Sequence, residues 1–100
     1  MDLHYFKEHL YDELNDACEY AKLGIELRGM TAEWSKMLMK MSEDELTHAN
    51  DLYKMFTEYV QKISAPYSEQ PKYVSDMVTE INSFYPDMVV KVKILHDMYR

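Results

Sequence analysis

Glycine and proline are scarce in this 100-residue chain, at two and three positions, which leaves little material for β-hairpin turns or long loops. The remainder is rich in Leu, Met, Glu, Lys and Ala and predicts an all-helical (all-α) protein. Cysteine is nearly absent too. Cys18 stands alone, so no intrachain disulfide framework exists, and Asp16 and Glu19 beside it oppose an activated thiolate. A reducing, cytoplasmic setting is the expectation. No apolar run approaches the ~20 residues of a membrane span, and the first nine residues are polar and charged, so neither a transmembrane nor a targeting segment is expected. Positive charge is the minority: 11 basic residues face 18 acidic ones, a net charge of −7. That balance argues against nucleic acid and anionic membranes as partners, since both need a basic footprint. A chain this short forms one domain and buries only about two-thirds of its unfolded surface, so a core shared with a partner is attractive.

What is present is helical periodicity. Leu3, Phe6, Leu10, Ala17, Tyr20/Ala21, Gly24 and Leu27 recur at steps of three and four, the stripe of an amphipathic helix over about 2–28. One member of the series, Glu13, is not apolar. Arg28 and Gly29 form a usual helix stop, and Thr31 is placed to cap a second helix after a turn short enough only for an antiparallel hairpin. The second helix, about 31–63, carries Trp34, Leu38, Met41, Leu52, Met55/Phe56, Tyr59 and Ile63, with Glu45 and His48/Ala49 filling the missing phases. Two prolines and two serines mark 64–71 as a loop. A third stripe follows over about 72–99 through Val74, Met77/Val78, Ile81, Phe84/Tyr85, Met88, Val92, Leu95 and Tyr99, and Pro86 in its middle is expected to kink or break it after Tyr85.

The polar interruptions carry the chemistry. Glu45-Leu-Thr-His48 places a carboxylate and an imidazole side by side, because residues three apart share a helix face. Glu13 lies fifteen residues before Arg28 and Glu45 fourteen after Thr31, about 22 and 21 Å from the same turn at the helical rise. The three side chains are therefore expected at one height. Burying two carboxylates and an imidazole unpaired costs several kcal/mol, which a divalent cation offsets. Carboxylate oxygens with a minority of imidazole and no thiolate suit Fe(II) or Mn(II) better than structural zinc. Bundle sites of this kind use one Glu from each of two helices and Glu-x-x-His from each of the other two. This chain supplies half, and two copies about a two-fold axis supply the whole, so a homodimer is expected.

The segments Glu13-Leu-Asn-Asp-Ala-Cys-Glu-Tyr20-Ala and Met41-Ser-Glu-Asp-Glu45-Leu-Thr-His48-Ala49 resemble the metal-ligand half of the ferritin-like superfamily, in particular rubrerythrins, bacterioferritins and short encapsulated ferritins. The likeness covers residues 3 to about 63, and the chain departs from full-length ferritins in having no second Glu-x-x-His. The resemblance implies a di-iron centre with Glu45 bridging, Glu13 and His48 as terminal ligands, and Tyr20 hydrogen-bonding near the site. It further implies a four-helix bundle completed by dimerisation with the third helices outside, ferroxidase-like oxidation of Fe(II), and an enclosing shell or a redox partner. Rubrerythrin-like peroxide reduction draws electrons from rubredoxin-type cysteine pairs, which are lacking here.

Plainer alternatives attach to each residue. Ser42-Glu43-Asp44-Glu45 also fits a capping box, yet the stripe passes through it without a phase break. Taken singly, Glu13 reads as a solvated or salt-bridged carboxylate, and His48 as a satisfied core histidine. His9, one turn before Glu13, is a candidate for the site or its surroundings. Glu80 is expected about 15 Å too low to join, and Asp87 is near the right height beside Pro86. His4 and His96 read as surface or end residues, and the nine methionines mostly as core filler. The alternative function is a metal-free helical interaction module. A hydroxylase acting on an organic substrate is weaker still, for want of room for a pocket.

Overall fold

The computed structural model describes residues 2–100, and among them it contains three α-helices and no strand. Helix α1 spans Leu3–Leu27, α2 Ala32–Ser64 and α3 Lys72–Tyr99. Asp2 caps α1, its Oδ1 accepting the Tyr5 amide at 3.0 Å, which satisfies one of the amides orphaned at any helix start. The turn closes on Leu27, whose carbonyl accepts from both Met30 and Thr31 at 2.9 Å. Thr31 occupies the N-cap of α2 without a side-chain hydrogen bond, and its buried hydroxyl has no partner. Arg28 reaches from this turn to the far end of α3, donating to the carbonyls of Met98 at 3.2 Å and Tyr99 at 2.6 Å, and so closes the last turn of that helix.

Helices α1 and α2 form the expected antiparallel hairpin, and they meet through small residues. Ser35 donates to the Gly24 carbonyl and Ser42 to that of Ala17, each at 2.6 Å and fully buried. Donors and acceptors are both seven residues apart, so the contact repeats every two turns, continuing to buried Ala49 and Leu10. Toward the open end of the hairpin, Phe6 takes over against Phe56 and Tyr59, with ring centroids 5.6 and 5.8 Å away.

Helix α3 lies mainly along α1 and touches α2 at few points. Val74, Met77 and Ile81 extend the main core, and Val92 closes a second cluster with Ala17 and Cys18. Tyr53 and Tyr85 stack at 4.1 Å, and each hydroxyl donates to an asparagine on the opposite helix, Asn82 at 2.7 Å and Asn50 at 2.5 Å. Of the kink or break expected after Tyr85, the break does not occur: α3 runs on through Pro86. Pro86 faces solvent, while the tyrosine stack before it and Val92 after it hold the helix against its neighbours.

One phase differs from expectation. Trp34 and Met41 do not enter the α1 contact; they are 62% and 42% exposed, and the inward positions are Ser35, Met39 and Ser42. The reason is close helix approach, which small residues permit and bulky ones do not. The methionines are not mainly core filler either: Met39 and Met77 are buried, but Met30, Met37, Met41, Met55 and Met98 are exposed.

The hairpin consequently has two unlike faces. Lys7, Tyr11 and Cys18 of α1 contact α3, whereas His9, Glu13, Asp16, Tyr20, Leu23 and Leu27 recur on the opposite side of the same helix. On α2 the matching open stripe is Trp34, Leu38, Met41, Glu45, His48, Leu52 and Met55. Near the turn it forms an apolar depression lined by Leu23, Leu27, Trp34, Met37, Leu38 and Met41.

Candidate metal centre

Glu13, Glu45 and His48 converge midway along this open stripe. One ligand atom from each lies within 4.8 Å of the others. The close α1–α2 approach at Ala17 and Ser42 carries Glu13 across to α2, and the three-residue spacing sets Glu45 beside His48, with Nδ1 3.9 Å from Oε1. The environment is graded. Glu13 and Glu45 are half-buried, whereas His48 is exposed.

Glu13 is the anomalous member. Its Oε2 is buried and has no hydrogen-bond partner, although buried polar atoms are nearly always paired. Burial is the main cause that pushes its carboxyl above the ordinary range, and the Glu45 carboxylate adds to it. His48 and His9 oppose the shift, and Asp16 reinforces it weakly. A carboxylate oxygen withdrawn from water, facing a second carboxylate and an imidazole, is a site in want of positive charge. The donor set fits a hard or borderline divalent cation. Oxygen and nitrogen ligands about 2.0–2.2 Å from one ion stand at most about 4.4 Å apart, so side-chain rotation suffices to close the observed separation.

The other candidates are not members of this three-residue cluster. His9 is exposed, its ring 4.1 Å from that of Tyr5. Tyr20 is half-buried on the open face, and no hydrogen bond among the described residues links it to Glu13 or Glu45. Glu80 pairs with Lys7, and Asp87 lines the groove between α1 and α3; both lie on the α3 side. His4 is exposed as expected; His96 lies in the last turn of α3 but is not a surface residue, being buried with Nε2 2.7 Å from Ser42 Oγ. Burial lowers its affinity for a proton, with Arg100 acting the same way and Glu43 and Asp97 opposing.

Ser42 and His96 are the residues near the site that apolar periodicity overlooks. The available signal was the heptad Ser35, Ser42, Ala49 opposite Gly24, Ala17, Leu10, which a count of hydrophobic residues discards because it contains serine. Among known protein families, curated proteins and solved structures, none matches this chain.

Proposed function

We propose that this is a ferritin-like di-iron or di-manganese carboxylate protein whose centre is shared between two copies of the chain, and that it oxidises Fe(II) with dioxygen or peroxide. The observation that carries the reading is the buried, unpartnered Oε2 of Glu13 facing Glu45 and His48. One carboxylate from α1 and Glu-x-x-His from α2 are half the inventory of such a bundle centre. A second hairpin on the open face brings the total to four carboxylates and two imidazoles, and the apolar depression beside the ligands suits such a neighbour.

The ferritin likeness assigns Glu45 the bridging role and Glu13 and His48 the terminal ones, and it assigns Tyr20 a hydroxyl that hydrogen-bonds near the site. Iron held there would supply the one-electron chemistry that the side chains lack. The chain itself contributes the fixed separation of the ligands, a half-buried wall at Glu13 and a more open approach at His48. Cys18 is single and buried, so an internal thiol donor for peroxide reduction is lacking, which favours Fe(II) oxidation. An enclosing shell that receives the oxidised iron is the partner this implies, in the cytoplasm.

Native mass spectrometry with elemental analysis, on protein purified with Fe(II) anaerobically, tests the reading. Two irons per dimer, lost in Glu45→Ala, are expected. A metal-free species unchanged by the substitution would overturn it and leave a helical interaction module.

A further inference from the structure

Two chemically identical crosslinks join α1 to α2, and only one of them adjoins the candidate ligands. Ser42 lies three residues before Glu45 and Ala17 four after Glu13, one turn away on both helices. Ser35 lies ten residues from Glu45, about 15 Å along α2. Only the Ser42 bond has backing from α3. A serine hydroxyl has a single proton, and Ser42 gives it to the Ala17 carbonyl, which cannot donate. Ser42 Oγ is therefore the acceptor from His96, which must carry its proton on Nε2. The outcome is a buried polar strut running from α3 through α2 to α1.

We infer that Ser42, backed by His96, is a positioning residue for the Glu13–Glu45–His48 group, setting the separation of α1 and α2 at the level of the ligands. The inference rests on reading that group as a metal site. At this height Ala17, Ala21, Ser42 and Ala49 are all buried between the helices, with Leu46 packed against the cluster that contains Ala17. Among the described residues, the O–H···O=C bond from Ser42 is the one direct polar tie between the two helices at the level of the ligands. Because Glu13 stands on one helix and Glu45 with His48 on the other, any change in the gap passes directly into the ligand separations. Ser35 makes the same bond to Gly24 too far away to do so, and serves as an internal control.

Titration of the full-length protein with Co(II), followed by its visible absorption, separates positioning from mere stabilisation. Ser42→Ala is expected to weaken Co(II) binding about 10-fold, as loss of outer contacts around a metal does, and to shift the absorption band. Ser35→Ala is expected to lower the melting temperature similarly while leaving affinity and band unchanged. His96→Leu should follow Ser42→Ala, and His96→Gln, which keeps an N–H donor, should restore binding; this pair decides the matter if Ser42→Ala does not fold. Equal Co(II) affinity in wild type, Ser42→Ala and His96→Leu would overturn the role of Ser42 alone. Wild-type protein that binds no Co(II) would remove the site, and the positioning role with it.

Discussion

At the scale of single residues, two titratable groups withdrawn from water pull stability in opposite directions. His96 is buried neutral, its pKa depressed below the ordinary 6.5. Between those two values the unfolded chain holds a proton that the folded chain does not, so stability rises with pH through that window. The contribution is complete above about pH 6.5 and is lost as pH falls through the folded value. Urea denaturation midpoints of metal-free protein are expected to decline below pH 6.5, and His96→Gln to flatten that decline. A slope unchanged by the substitution would mean that His96 is not the group responsible. Glu13 is the reverse case: a carboxylate held half-buried beside Glu45 burdens the metal-free fold. Glu13→Gln should therefore stabilise metal-free protein, on the order of 0.5 kcal/mol because the side chain is partly solvated. The same substitution should abolish the metal-dependent rise in melting temperature. Destabilisation of the metal-free protein would mean that Glu13 has a compensating partner.

At the scale of the elements, the two glycines serve unlike ends. A Cβ at Gly24 would stand 3.3 Å from the Ser35 carbonyl oxygen, part of a helix backbone that cannot turn aside, whereas one at Gly29 would meet nothing within 4 Å. Neither glycine has a positive φ. Gly29→Ala is thus expected to stabilise by about 0.4–1 kcal/mol through the unfolded chain. Gly24→Ala is expected to forfeit the ~1 kcal/mol that alanine normally gains inside a helix. Thermal melts of the pair, read against wild type, check both. This contrast also explains what the sequence made legible. The helices were readable from their period together with the stop signals at Arg28-Gly29 and in 64–71, and the expected height of Glu13 against Glu45 from counting the rise on each helix back to the shared turn, because these signals are local to a helix or its end. The phase of α2 was not, since which face turns inward depends on how closely two helices approach, and that is decided by Ser35, Ser42 and Ala49. Pro86 is a similar case: its local cost is real, but packing on either side overrides it. Pro86→Ala should accordingly stabilise by about 1–3 kcal/mol as the missing amide is restored to α3, with a lower melting temperature counting against that account.

At the scale of the whole molecule, the chain is a rod of 57 × 19 × 17 Å with one side of its long hairpin covered by α3 and the other bare. The bare side holds Trp34 at 62% and Met37 at 59% exposure, beside the only cluster of potential metal ligands among the described residues. Coincidence of an apolar surface with the Glu13–Glu45–His48 group on one face is what the proposed shared centre requires, and it makes assembly and metal binding separable by mutation. Trp34→Glu with Met41→Glu leaves all three ligands in place, yet sets charges where a second copy would bury apolar surface. Light scattering after gel filtration is expected to give a dimer for wild type and a monomer for the double variant. The folded monomer should lose the tight binding of two metal ions per dimer. If the variant remained dimeric, the contact would lie elsewhere, and the groove between α1 and α3 lined by Tyr11, Phe84 and Met88 would be next to probe. If it became monomeric but kept metal at wild-type affinity, Glu13, Glu45 and His48 would suffice by themselves, and the second copy would serve packing rather than coordination.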